Sequence, residues 1–206
     1  MGRKLNISHY VLKTRVLGPF VRSALWVSGC CFNCKGCLAK EMNARAPSEA
    51  DADGLAEIFA HADGTEGITI SGGEPFLQAD ALCEMIGRIR GIRDYGVIAY
   101  TGFTIEELEG GNDAGTKRLL DSVDILIDGR YEAGLDDGKP YRGSSNQRIL
   151  CLTERYADSY DEYYLKHGSR DMEIVIGRDF TCMVGVPSKA GLKVWEDLKR
   201  RRRRDV

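Results

Sequence analysis

A chain of 206 residues, 43% hydrophobic and 29% charged with 24 glycines and five prolines, has the length and composition of one globular domain with room for a small appendage. No run approaches the roughly 18 consecutive apolar residues of a membrane-spanning helix, and the opening MGRKLNISHY lacks a signal peptide's apolar core, so a cytoplasmic location is expected. The net charge of -2 hides an asymmetry. Removing the six basic residues at 199–204 and Asp205 from totals of 29 basic and 31 acidic leaves 23 against 30, a body of -7 that argues against nucleic-acid binding.

Four short apolar runs each end in glycine or a small polar residue: 24–27 before SGC, 68–70 before SGGEP, 97–100 before TGF and 125–127 before DGR. Each reads as a strand. Between them lie helix-like segments, one carrying Leu55, Ile58 and Phe59 and the next Leu82, Met85, Ile86 and Ile89. Thr104 and Glu107 form a capping box that opens a short helix. Strand, loop and helix in repetition imply parallel βαβ units, an α/β class in which ligands sit at the carboxyl edge of the strands.

After residue 150 a tyrosine-rich acidic stretch, YADSYDEYY, is followed by β-like runs at 173–176 and 180–186 joined by GRD, a pattern that predicts a β-hairpin. Ser188 is placed to cap a final helix over 190–203, whose last arginines suit the negative end of the helix dipole. There is no internal repeat and no long linker. The chain therefore divides into a core at 1–150 and an extension at 151–206 within the same compact domain. The apolar run 182–186 needs a cover, and the hairpin is expected to dock a partner.

Four of the seven cysteines fall in GCCFNCKGCLAK, where Cys30, Cys34 and Cys37 form C-x3-C-x2-C directly after the first of the four runs. An odd cysteine count with this clustering suits a metal or redox centre in a reducing compartment rather than a disulfide framework. Thiolates ligate iron–sulfur clusters and zinc, but no second CxxC or nearby histidine follows to complete a zinc tetrahedron. Three ligands on a cubane cluster leave one iron open. Cys31 offers a second register, C-x2-C-x2-C, but Ala39, Lys40 and Glu41 stand where a ferredoxin's fourth cysteine and proline would follow.

With this cysteine loop and SGGEP one strand later, the chain resembles the radical S-adenosylmethionine (SAM) superfamily. Within it, WVSGC, KGC, YTGF, DGR and RGSSNQRI resemble the family of anaerobic ribonucleoside-triphosphate reductase activating proteins, over roughly residues 20–149. The resemblance implies a partial (βα) barrel of the radical SAM type, carrying here a C-terminal β-hairpin and helix extension. It implies a 4Fe-4S cluster on Cys30, Cys34 and Cys37, whose open iron chelates SAM. Cofactor-binding positions follow by motif: Gly36 and Leu38 beside the third cysteine, Ser71, Gly72, Gly73 and Glu74 at the second strand edge, and Thr101 at the third. Asp128 and Arg130 follow the fourth strand, with Arg130 facing the SAM carboxylate. At Thr101, and at Asp128 and Arg130, a plain turn explains the residues equally well.

The implied activity is reductive cleavage of SAM to a 5'-deoxyadenosyl radical that installs a glycyl radical on a large reductase, with a flavodoxin-like or ferredoxin-like electron donor. Two rivals stand beside it. One is a radical SAM enzyme acting on another glycyl radical enzyme or a peptide, and the other is a non-catalytic iron–sulfur electron-transfer module. Cys83, Cys151 and Cys182 are read as core residues, and His9, His61 and His167 as surface or packing residues. No Ser-His-Asp order and no GxxxxGK[ST] loop supports a hydrolase or an ATPase.

Overall fold

The computed structural model describes residues 2–40, 48–166, 168–177 and 180–202, so His167 and the last two tail arginines lie outside the described residues. A seven-stranded mixed sheet has the order β3-β1-β2-β4-β5-β6-β7. Its centre is the parallel set β2 (Arg22–Val27), β4 (Gly67–Gly72), β5 (Gly96–Tyr100) and β6 (Ile125–Asp128), which contains the four apolar runs. Antiparallel strands flank it: β1 (Lys4–Thr14), β3 (Ser48–Asp51) and β7 (Arg148–Cys151). Those three carry mixed polar and apolar residues with no sustained alternation, which is why a search for apolar runs passes over them.

One face of the sheet is covered by α1 (Ala52–Ala60), α2 (Ala79–Ile92) and α4 (Ala114–Ser122), with the short α3 (Ile105–Glu109) preceding α4. Asp51 caps α1 by accepting from the Gly54 N–H, and Thr104 with Glu107 closes the capping box of α3. Alternate strand residues Leu25, Val27, Ile68, Ile70, Val97, Ala99 and Leu126 share a core with Leu55, Phe59, Leu82, Met85, Ile86 and Ile89 from the helices. Ile58 is exposed instead, because buried Leu55 and Phe59 set the inward stripe of α1 and Ile58 falls beside it.

The other face is covered by the segment after residue 150. There Tyr156 and Tyr164, from a turn running through α5 (Ala157–Tyr160), pack on Ile98, Ile125 and Ile127 together with Tyr141. Strands β8 (Met172–Ile176) and β9 (Thr181–Gly185) form an antiparallel hairpin, and α6 (Lys189–Arg202) ends the described chain. Val184 is fully buried in a cluster with Val11, Leu17, Ala24 and Trp26, and Cys182 packs against it, so this side of the apolar run 182–186 is covered by the chain's own sheet.

Arg22, wholly buried, ties this face together. Its guanidinium donates to Thr69 Oγ1 (3.1 Å), Glu66 (2.8 Å), the Tyr156 hydroxyl (2.9 Å) and the carbonyls of Pro19, Ile68 and Gly96. A buried guanidinium is tolerable only when its donors are so matched. Cys151 is exposed rather than core, because β7 is the edge strand, while Cys83 and Cys182 are half-buried. His61 is exposed, and the His9 ring lies 6.2 Å from that of Trp26 and 4.7 Å from that of Phe180. Among the described residues no helix is long and apolar enough to cross a membrane.

Candidate functional site

Because β2, β4, β5 and β6 run parallel, their C-terminal ends deliver four loops to one edge: 28–40, 73–74, 101–103 and 129–147. A cavity of about 280 Å³ opens there, near the lower end of the range for small-molecule sites, about 300 Å³. Cys30, Cys34 and Cys37 line it, together with Gly36, Leu38, Ser71, Gly72, Gly73, Glu74 and Thr101. Cys31, Asp128 and Arg130 do not. Asp128 is fully buried, accepting from the Ile105 N–H and from Arg148. Arg130 is exposed, pairing with Glu107 at 3.0 Å, and its guanidinium lies 4.7 Å from the Phe32 ring centroid. Gly129, between them, reaches the cavity instead.

The cysteine loop is held by its aromatic residue. Phe32 meets Phe103 edge-on at 4.8 Å, and a Cβ at Gly102 would lie 2.5 Å from the Phe32 ring, so only glycine lets the two loops close. Gly72, at φ +103°, has a similar role: its Cβ would stand 2.5 Å from the Val27 carbonyl oxygen. The close approach expected there is thus made first to β2, within the chain itself.

Glu74 is the knot of the edge. It is almost fully buried, and its carboxylate accepts from the Phe76 N–H (3.0 Å), the Thr101 hydroxyl (2.9 Å) and the Gly102 N–H (2.8 Å), while its own N–H donates to the Gly29 carbonyl (2.8 Å). Burial pushes its carboxyl pKa up, and the Gly102, Phe76 and Thr101 donors pull it back. One residue therefore joins the loops after β2, β4 and β5, the first through its backbone and the others through its carboxylate. Thr101 sits at this edge as the partner of Glu74.

The polar segment RGSSNQRI is locked internally. Gln147 accepts from the Gly143 and Ser144 N–H groups (2.8 and 3.2 Å) and donates to the Gly129 carbonyl (2.9 Å), fixing the loop after β6. The sequence reading singled out this stretch but missed the cavity-lining role of Tyr131 and Arg170, for which it holds no local signal. It also missed Met183, Val186, Lys189 and Leu192, the contribution of β9 and the start of α6.

Burial raises the thiol pKa of Cys30 and of Cys37, so the free thiols stay protonated at neutral pH and ligation must release protons. Among the described residues no group of three or more His, Cys, Asp or Glu side chains is gathered so as to hold a metal ion. The thiols are brought to one cavity without being closed into a cage. In donor chemistry they fit a 4Fe-4S cluster: soft sulfur ligands on one short loop, in a cavity that Leu17, Trp26 and Leu38 make partly apolar.

Comparison with known proteins defines the class. The chain belongs to the family of 4Fe-4S single cluster domain proteins, whose model matches residues 16–150. It is similar to the anaerobic ribonucleoside-triphosphate reductase-activating proteins of Vibrio cholerae and Escherichia coli K12. Each is 30% identical, over 158 and 160 residues respectively, covering 72% of this chain and 99% of the relative. The protein of the same name from Enterobacteria phage T4 is 28% identical over 145 residues, 68% of this chain and 89% of the relative. The segment after residue 150, which lines the cavity and covers the second face of the sheet, lies outside the family match.

Proposed function

We propose that the protein is a radical SAM activase that generates a glycyl radical on an anaerobic ribonucleoside-triphosphate reductase. The parallel strands β2, β4, β5 and β6 are read as staves of a partial (βα) barrel, with 1–150 as the core and 151–206 as an extension of the same domain. When bound and reduced by a flavodoxin-like or ferredoxin-like donor, a three-cysteine 4Fe-4S cluster supplies reductive cleavage of SAM to methionine and a 5'-deoxyadenosyl radical, which takes a hydrogen atom from a backbone glycine.

The chain's own residues do the rest. Cys30, Cys34 and Cys37 would hold the cluster, with Gly36 and Leu38 flanking the third thiol in the cavity wall. The backbone at Ser71, Gly72 and Gly73 offers an edge for the amino group of SAM. Glu74 acts by fixing that edge to Thr101 and Gly102, so that the donors and acceptors presented to the ligand are set before it arrives. Asp128 holds the start of α3, and Arg130 braces Phe32 within the cysteine loop. Leu17, Trp26 and Met183 line the cavity with apolar surface that keeps water from a reactive carbon radical.

The observation that carries this reading is the partition of four neighbouring thiols: Cys30, Cys34 and Cys37 line the same cavity as the SGGE edge, and Cys31 does not. The test is anaerobic reconstitution with iron and sulfide, then incubation with SAM and dithionite. Formation of 5'-deoxyadenosine is expected. A reduced cluster that leaves SAM intact, with an electron paramagnetic resonance signal indifferent to it, would favour an electron-transfer module.

A further inference from the structure

We propose that the chain pairs with a second copy of itself by exchanging α6: the helix of each copy lies on the acidic surface that residues 157–165 and Phe20 form on the other. This pairing does not depend on the chemistry proposed above.

Both halves of the contact are present in one chain, and they are not joined there. None of the residues from Lys189 to Arg201 is fully buried, and Val194 and Leu198, four apart and so on one side of α6, are 51% and 41% exposed. Lys199 pairs with Glu196 and Arg200 with Asp197, each at 2.8 Å and within the helix. Exposed Lys193 and Arg201 have no carboxylate partner among the described residues, and the basic run continues in sequence to residue 204. The helix thus carries an apolar stripe bordered by cations with nothing against it.

The other half is the tyrosine segment. Tyr156, Tyr160, Tyr163 and Tyr164, from α5 and the turn after it (Asp161–Leu165), pack on the sheet side. Helical spacing then gathers Asp158, Asp161, Glu162 and Leu165 on the opposite side, where all four are exposed. Among the described residues none of the three carboxylates is paired with a cation. Phe20, 48% exposed, extends this surface with its ring 5.7 Å from that of Tyr163. Its backbone stands at φ +61°, a conformation costly for a bulky residue, and Arg22 fixes the turn by donating to the Pro19 carbonyl (3.1 Å). The fold therefore holds two large apolar side chains, Phe20 and Leu165, in water beside unpaired carboxylates.

Charge selects the occupant. The body carries a net -7, so α6 brings the cations that the acidic surface lacks, and each half has apolar residues to lay against the other. A different acidic protein would satisfy α6 but leave Phe20, Leu165 and the carboxylates uncovered. The exchange is self-complementary: each copy gives one helix and receives one, so two equal contacts close about a twofold axis. The 14 residues of α6 span about 21 Å, enough to run the length of 157–165. Because Lys189 and Leu192 in its first turn line the cavity, seating α6 on a second copy also fixes that wall.

The test is sedimentation velocity of the full chain at about 0.1 M and about 1 M salt. A mass of two chains is expected at the lower salt, with association about tenfold or more weaker at the higher. Lys193→Glu with Arg201→Glu, and separately Asp158→Lys with Glu162→Lys, are each expected to weaken association about tenfold or more, because like charges then face each other. An equimolar mixture of the two double variants makes both contacts attractive again and is expected to recover the mass of two chains. A parent that stays monomeric overturns the proposal, as does pairing that either double variant leaves unchanged, or a mixture that fails to recover. Leu198→Ser, at an exposed position, gives a check free of charge changes. It is expected to weaken association about threefold or more, and no change would overturn the proposal.

Discussion

The two faces of the sheet are built on different principles. Toward the helices, aliphatic side chains from alternate strand positions meet the inward stripes of α1, α2 and α4, and what matters is filled volume. Toward the C-terminal segment, a buried arginine, a ring of tyrosines and one hairpin strand cover the sheet. The cavity opens where this second face meets the carboxyl edge, since Trp26 and Tyr100 belong to both. The difference teaches that the helix face supplies a scaffold, whereas the second face supports the scaffold and forms the site at once. Damage to it should reach the cavity, and damage to the helix face should not.

The largest expected effect comes from Arg22→Ala, which strands Glu66, Tyr156 and several carbonyls at a buried position. A loss on the order of 3 kcal/mol in urea denaturation is expected. A loss below about 1 kcal/mol would mean that the knot contributes little. Val184→Ala comes next. Deleting two buried methyl groups should cost about 2 kcal/mol, and it should loosen β9 enough to weaken whatever binds the cavity, unlike a helix-face substitution of at least that cost such as Leu82→Ala. Equal effects of the two on ligand binding would erase the distinction between the faces.

The smallest effect near neutrality is a dependence on alkaline pH. Burial pushes the Tyr141 phenol up to about 12 and also raises those of Tyr100, Tyr156 and Tyr164. The unfolded chain releases these protons near an ordinary pKa of about 10, while the folded chain keeps them, so stability holds below about pH 10 and falls as pH rises toward 12. The share of phenolate absorbance that belongs to these four tyrosines should therefore appear only together with unfolding. Smooth titration of all tyrosines near pH 10 in a chain that stays folded would contradict the buried cluster.

The parallel strands were legible because each is a short apolar run closed by a small polar residue and a glycine, and the capping box of α3 was legible because its two partners are three residues apart. The start of α6 was visible for the same local reason: Ser188 accepts from the Gly191 N–H. What the sequence hid depends on contacts across the chain. YADSYDEYY reads only as a tyrosine-rich acidic stretch, yet Tyr156 reaches Arg22, 134 residues away. Glu74 reads as a ligand-facing carboxylate, and its partners Thr101 and Gly102 are supplied by the next strand. Asp128 and Arg130 flank the cavity in sequence, but successive residues leaving a strand point to opposite sides, and only Gly129 faces inward. The cysteine loop was the most legible part, because three thiols on one short loop with no second CxxC or histidine nearby argue for an iron–sulfur cluster over zinc.

The central claim is that Cys30, Cys34 and Cys37, and not Cys31, hold a single cluster. Its most direct measurement is iron bound per chain after anaerobic reconstitution of four single serine variants. The account predicts that Cys30→Ser, Cys34→Ser and Cys37→Ser each lose the cluster and that Cys31→Ser retains the parent's iron. Loss in Cys31→Ser with retention in Cys30→Ser would contradict it.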